Sequence, residues 1–409
     1  MKKIKLCLSV YLLFFLCTTI NAQTWWPQTS TTTVKLYNIN FFDNNLGYAF
    51  GDTLSTMVKT TNSGAIWTGL SPAFTNADLR SSSFLNSNTV VAVGIHDVVG
   101  GKGVVMKTSN GGVSWSADTS IAEQLFDVSF ANSTDGWISG ENGYIARTTN
   151  GGTNWLQLTT GTGEDIFSVY FVNANEGWAV GTVNVNAVIL HTTNAGTNWT
   201  PQNSGLLSQL SSVFFINNST GWAVGAGGNI IATTDSGTTW TPQTSGITND
   251  LFDVYFLDTN KGWAVGGAGT VLKTTNGGIN WTLETSGTTT DINSITMRND
   301  SLGWFCGDGG EIRVYAMNPP LAINEIDKWN IDIEVYPNPS NEWLRIDLKN
   351  YNKDWSFALY DITGRLVLDK NQINENSIVI KKNRITSGQY LLKVVNTQGQ
   401  IHTEKIIFE

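Results

Sequence analysis

Cysteine is scarce in this 409-residue chain: it has three, Cys7, Cys17 and Cys306. Two of them fall in an N-terminal stretch built from Lys2, Lys3 and Lys5, an apolar run from Leu6 to Leu16, and Ile20-Asn21-Ala22 as a cleavage site. That pattern predicts a secretory signal peptide over residues 1–22, too short for a membrane span. Cys17 follows Leu16 rather than the small residue a lipoprotein signal needs, so simple cleavage after Ala22 is expected. The exported chain would keep Cys306 alone, which rules out an intramolecular disulfide and leaves stability to burial. Gly303-Trp304-Phe305-Cys306-Gly307 puts that thiol where Val180, Val224 and Val265 stand in sister segments, so Cys306 is expected to be a buried apolar side chain.

Histidine and basic residues are scarce too. His96, His191 and His402 are scattered, with neither metal-ligand spacing nor a Ser-His-Asp arrangement. Losing Lys2, Lys3 and Lys5 takes the formal net charge from −9 to −12. Residues 23–318 hold 21 acids against 10 bases, and residues 319–409 hold 12 against 11. An acidic body without a basic stripe argues against nucleic acid and anionic lipid as partners. After the first 22 residues no run is long and apolar enough to form a transmembrane segment. No phosphate-binding glycine loop is present, because the glycines sit at repeating corners. Asp258-Thr-Asn260-Lys-Gly262 imitates the start of a calcium loop, but its twelfth position is Gly269 rather than a glutamate. No metal, cofactor or catalytic set is therefore expected, and an enzyme is the less favoured reading.

A repeated phrase is what the chain has in abundance. Thr-Thr-Asn/Asp-x-Gly-x-x-Trp ends at Trp67, Trp155, Trp199, Trp240 and Trp281, with a near copy ending at Trp115; the spacings are 40 to 48 residues. A period of that size suits a four-stranded propeller blade. Within one unit, Asp250–Phe256, Gly262–Gly266, Thr270–Thr275 and Asn280–Thr285 read as four short strands separated by turn residues. First strands recur seven times, as do second strands of the type Gly-Trp-Ala-Val-Gly, which gives seven blades. The tryptophan strand is missing after Glu311–Ala316, but Thr24-Trp-Trp-Pro-Gln-Thr-Ser30 matches Thr239–Ser245 at six of seven positions. Residues 24–30 are thus expected to supply the outer strand of the last blade and close a ring spanning residues 23–318, since closure limits open sheet edges.

The phrase Thr148–Trp155 resembles the Asp-box of bacterial neuraminidase-type repeats. Together with Gly-Trp-Ala-Val-Gly, it makes residues 24–316 similar to the seven-bladed propellers of the photosystem II assembly factor family. That resemblance implies that Asp-boxes are structural hairpins, generally away from the active face. A sialidase on this fold needs an arginine cluster, whereas the propeller has only Arg80, Arg147, Arg298 and Arg313. After Pro319-Pro320, in a linker expected over 319–331, the pattern changes to alternating short strands, a small immunoglobulin-like β-sandwich. Its Tyr336-Pro-Asn-Pro339, Asp361-Ile-Thr-Gly-Arg365, Gly388-Gln-Tyr-Leu-Leu-Lys-Val394 and Lys405-Ile-Ile407 closely resemble the C-terminal sorting domain of the type IX secretion system of Bacteroidota, over residues 332–409. The resemblance implies type IX machinery as a partner, and a protein released or held at the outer cell surface.

Two rings of residues remain as site candidates. Just before the Leu or Ile that opens each first strand stand Lys35, Asp78, Gln124, Asp165, Gln209, Asp250 and Asp291. They are expected around one mouth of the central channel, as an acidic, amide-rich ring suited to a cation, an amine or sugar hydroxyls, or else as turn residues capping each strand. Two positions after the opening residue come Asn38, Ser81, Asp127, Ser168, Ser212, Asp253 and Ser294, small and polar as a crowded axis requires. Long loops at Ile95–Gly103, with His96 and Asp97, and at Thr182–Ala187 belong to the same face. The favoured function is a secreted or surface binding protein for an unknown protein or glycan. The alternatives are an extracellular glycoside hydrolase using Asp165 with Asp250 or Asp291, and an assembly factor for a membrane complex.

Overall fold

The computed structural model describes residues 24–52, 56–74, 76–96, 101–183, 186–316, 333–349, 354–361, 365–382, 385–396 and 401–409. The signal-peptide segment, the Pro319-Pro320 linker and Asp97 lie outside them. Two compact units are present, residues 1–321 and 322–409.

The first unit is a β-propeller of seven four-stranded antiparallel sheets. Blades 1 to 6 run from the axis outward in chain order; blade 3, for example, is Leu125–Phe130, Gly136–Gly140, Ile145–Thr148 and Leu156–Leu158. Blade 7 is Ile292–Asn299, Leu302–Gly307 and Ile312–Ala316, and its outermost strand is Thr24–Gln28, paired from Thr24 with Ala316 to Gln28 with Ile312. Trp25 on that strand is buried against Phe305 and Tyr315. The ring is thus joined by the two ends of the propeller sequence, and no blade is left with three strands.

Every first strand carries a bulge at the same place, between Leu36 and Asn38, Leu79 and Ser81, Leu125 and Asp127, Ile166 and Ser168, Leu210 and Ser212, Leu251 and Asp253, and Ile292 and Ser294. A bulge puts two residues opposite one and breaks the strict alternation of faces. Here it turns two successive side chains toward the axis.

The Asp-box hairpins are held by their own side chains. In Thr274–Trp281, the Thr274 hydroxyl donates to Asn276 Oδ1 at 3.0 Å and accepts from the Gly278 N–H at 2.9 Å, while Asn276 Oδ1 accepts from the Asn280 N–H at 3.0 Å. Aromatic rings then lock blade to blade. Second-strand tryptophans Trp137, Trp178, Trp222 and Trp304 stack at 3.5 Å on Phe171, Phe215, Phe256 and Phe41 of the next blade. Burial of rings this size dominates core energetics, at roughly 150–250 Å² each. Cys306 is buried in the interblade core beside Leu36, and burial pushes its thiol well above the usual range, so it is unreactive packing.

The second unit is a sandwich of two sheets. One has Ile333–Tyr336, Trp343–Leu348 and Ser377–Lys381; the other has, in spatial order, Leu366–Ile373, Trp355–Asp361, Gly388–Asn396 and Ile401–Phe408. Leu344, Ile346, Trp355, Phe357, Leu392 and Phe408 form its core. The all-β expectation of a propeller followed by a small sandwich holds.

Candidate functional site

The seven bulges build the channel in three layers. At the end where first strands begin, Tyr37, Arg80, Phe126, Phe167, Ser211, Phe252 and Asn293 surround a mouth cavity of about 120 Å³. Below it, Asn38, Ser81, Asp127, Ser168, Ser212, Asp253 and Ser294 form a waist shared with a deeper cavity of about 260 Å³. Past the waist, Asn40, Ser83, Ser129, Tyr170, Phe214, Tyr255 and Thr296 line the end nearer the Asp-boxes. The Asp-box hairpins lie on that side, where the N–H groups of Ser236 and Gly277 bond the turns at Ser219 and Asn260.

The waist ties neighbouring blades together. In five blades the N–H three positions after the opening residue is taken by the waist side chain of the preceding blade, while that of Val254 turns to Asp253 of its own blade at 2.8 Å. Val169 donates to Asp127 at 2.9 Å and Ile295 to Asp253 at 2.9 Å, while Val213 and Ile39 donate to Ser168 and Ser294 at 3.4 Å. Each aspartate also accepts from a serine hydroxyl of the preceding blade, Ser81 to Asp127 at 2.6 Å and Ser212 to Asp253 at 3.0 Å. Burial nevertheless raises both carboxyls, Asp253 to about 6, outweighing hydrogen bonds that favour the charged form.

The outer ring also has partners. Asp165, Asp250 and Asp291 each accept a backbone N–H from the second-to-third-strand turn of the preceding blade, from Asn142 at 3.1 Å, Gly227 at 2.7 Å and Ala268 at 2.9 Å. Lys35 reaches the equivalent turn of blade 7 through Asp308 at 3.1 Å. Gln124 packs beside Gly101. Gln209 and Asp78 hold the same strand-opening position, and their main-chain carbonyls, like those of the rest of the ring, abut the glycine ending the adjacent second strand. None of the seven lines the channel cavities, and the carboxylates of Asp165, Asp250 and Asp291 are engaged at separate turns instead. His96 lies beside Phe74, its Nδ1 3.3 Å from the Asn76 carbonyl. Asp258 caps its own turn, accepting from Asn260 at 2.7 Å and Lys261 at 2.9 Å.

Five of the seven side chains at the channel mouth itself are aromatic or cationic. The Arg80 guanidinium stands over the rings of Tyr37 and Phe126, 5.1 and 5.6 Å from their centroids, and Phe126 continues to Phe167 at 5.5 Å. Sequence reading passed over these residues because strict alternation turns the position after the opening Leu or Ile away from the axis. The seven-fold recurrence of the bulge is the signal that finds them.

These features define the class: a closed seven-bladed β-propeller with an axial channel, followed by a β-sandwich. Residues 334–409 match the family model described as a secretion system C-terminal sorting domain, and residues 116–206 match that of the photosynthesis system II assembly factor YCF48. The chain thus carries a secretion-system sorting tail and a YCF48-like propeller segment. Among solved structures it is similar to YCF48 bound to D1 peptide, at 20% identity and TM-score 0.60 over 74% of this chain and 100% of that one. YCF48 from Cyanidioschyzon merolae gives 20% and 0.60 over 72% and 99%, and the WD40 β-propeller domain of Doa1 9% and 0.60 over 73% and 97%. At these identities the likeness is one of fold. Comparison with curated proteins gives no match.

Proposed function

We propose that this is a non-enzymatic binding protein, led across the inner membrane by residues 1–22 and exported by type IX secretion through a sorting domain at 332–409, with the propeller at 23–318 as cargo. On this reading it works at the cell surface or outside, where it holds a protein or glycan. The observation that carries the reading is the channel mouth, where Tyr37, Phe126, Phe167 and Phe252 with the Arg80 guanidinium are half-buried on a rigid frame. Half-exposed aromatics and arginine are the residue types that dominate binding hot spots. On this reading Asp78, Gln124, Asp165, Gln209, Asp250 and Asp291, with His96, serve as the polar rim of that face. The complex of YCF48 with a D1 peptide is a precedent for a peptide ligand on this fold. Fold alone does not fix function.

The test has two arms. Removing residues 332–409 should leave the propeller inside the outer membrane, and its undiminished appearance outside the cell would refute the export assignment. Partners captured from culture by the secreted protein, and a glycan array, should give a ligand whose retention falls when Tyr37 and Arg80 are changed to alanine. Retention that survives those changes would place the binding surface elsewhere.

A further inference from the structure

The end of the channel nearer the Asp-boxes has a character of its own. Three aromatic side chains from blades 4, 5 and 6 form a continuous wall, with Tyr170 5.0 Å from Phe214 and Phe214 5.2 Å from Tyr255 between ring centroids. Asn40, Ser83, Ser129 and Thr296, from the remaining blades, complete the lining with small polar groups. The rings are tilted 46° and 41° to one another, and an aromatic ring carries its negative charge on its face. Charge points the same way. Of the residues lining the 260 Å³ cavity, only Asp127 and Asp253 carry charge, and none is basic. Arg298, close enough to Tyr255 to favour its phenolate, does not line the cavity, and its guanidinium donates to the Phe41 carbonyl at 3.3 Å.

We infer that this half of the channel is a binding site for an alkylammonium or guanidinium group, seated against the Tyr170–Phe214–Tyr255 wall below the Asp127 and Asp253 carboxylates. The site adjoins the Arg80 mouth across the Asp127 and Asp253 waist that both cavities share, but does not depend on the function proposed there. A cation over aromatic faces is attracted through the ring quadrupole, the more so where water is excluded. Two carboxylates add to that attraction on this side of the waist, where no basic residue lines the cavity, while Arg80 lines the mouth cavity on the other side. An anion is repelled by the same charges. A neutral sugar could stack on the rings but brings no charge opposite to that of the carboxylates. A volume of 260 Å³ lies just below the usual range of about 300–1,000 Å³ for ligand pockets, which suits one amine-bearing side chain or a short diamine.

The experiment is isothermal titration calorimetry on the full secreted chain. Cadaverine serves as a free diamine, the peptide Gly-Lys-Gly as a lysine side chain, and glucose and butyrate as the neutral and anionic alternatives. One amine site per chain is expected, with cadaverine against the peptide showing whether a free amine or a chain-borne one fits better. Phe214→Leu should weaken it about tenfold by removing the central ring face. Ser83→Lys, which places a tethered ammonium in the same cavity, should abolish it while the variant unfolds at the wild-type temperature or above. Glucose or butyrate binding in place of the amines would overturn the inference. So would amine binding that persists undiminished in Ser83→Lys, or no heat from either amine with the wild-type chain.

Discussion

Gln243 holds two blades together through one side chain: its Oε1 accepts the Trp281 indole N–H at 3.1 Å, and its Nε2 donates to the Gly277 carbonyl at 2.9 Å. Gln28 does the same for Trp67 and Ser63, and Gln202 for Trp240 and Ser236. Each glutamine stands three residues after the tryptophan of its own blade and serves the tryptophan of the next. Where that position holds Leu70, Asp118 or Leu158, the following indoles of Trp115, Trp155 and Trp199 have no partner. A buried donor left unpaired costs roughly 1–3 kcal/mol. Leu158→Gln should therefore stabilise the propeller, and Gln243→Leu should destabilise it, each by about 1 kcal/mol. Denaturant unfolding followed by tryptophan fluorescence measures both, and equal or reversed signs would discount the clasp.

The glycine closing each second strand has a steric reason. A Cβ on Gly266 would lie 2.0 Å from the Asp250 carbonyl oxygen, and one on Gly181 1.8 Å from that of Asp165. Both obstacles are main chain and cannot swing aside. Gly266→Ala should cost more than about 3 kcal/mol, comparable with severe overpacking. A melting temperature within two or three degrees of wild type, for a domain this size about 1 kcal/mol, would show that the strand can shift.

Trp25 is buried between Phe305 and Tyr315, at 4.7 and 4.9 Å, on the strand that completes blade 7. Trp25→Ala should cost about 3–5 kcal/mol. It should also speed hydrogen exchange along Ile312–Ala316, whose outer partner is that strand. Exchange rising uniformly over all blades instead would mean that the ring does not open there first.

The outer-ring aspartates divide into testable roles. Asp165→Ala and Asp291→Ala each remove a carboxylate acceptor from a backbone N–H and should lower stability by about 1 kcal/mol. Changing them to asparagine should recover most of that loss, because an amide oxygen can take the same bond. If ligand retention by the secreted protein also falls in the asparagine variants, the ring contacts the ligand as well as bracing the turns.

Asp253 gives a pH signature. Its folded value of about 6 lies above the ordinary 3.8, because burial disfavours the carboxylate. The folded state therefore binds more protons than the unfolded state between about pH 4 and 6, so stability from this group grows as pH falls through that window. Tyr255 and Cys306, both raised by burial, stay neutral throughout, and Asp127 acts in the same direction. Measured against Asp253→Asn, wild type should gain on the order of 1–3 kcal/mol on going from pH 7 to pH 4. A constant difference across that range would mean that Asp253 titrates normally.

Local residue types and a fixed period were enough to read the blades from sequence. The Asp-box turn is tied by its own threonine and asparagine, and a strand needs only its alternation and its flanking turns. The same local logic exposed the Val-like place of Cys306, the small polar waist from Asn38 to Ser294 and the sandwich strands. The lining of the channel was harder to read, because it depends on a bulge that recurs in all seven first strands.

The sequence by itself determined the count of blades, the hairpins that shape them and the tail that resembles a sorting domain. Only the tertiary structure decided where the charges and rings point. Asp165, Asp250 and Asp291 look free along the chain, yet the turn of a neighbouring blade, some two dozen residues away, claims each one. Tyr170, Phe214 and Tyr255 are about 40 residues apart in sequence and form one wall because ring closure stacks equivalent positions around an axis. A repeat specifies each unit through local interactions, whereas the chemistry at the axis arises between units, where only closure of the ring sets the distances.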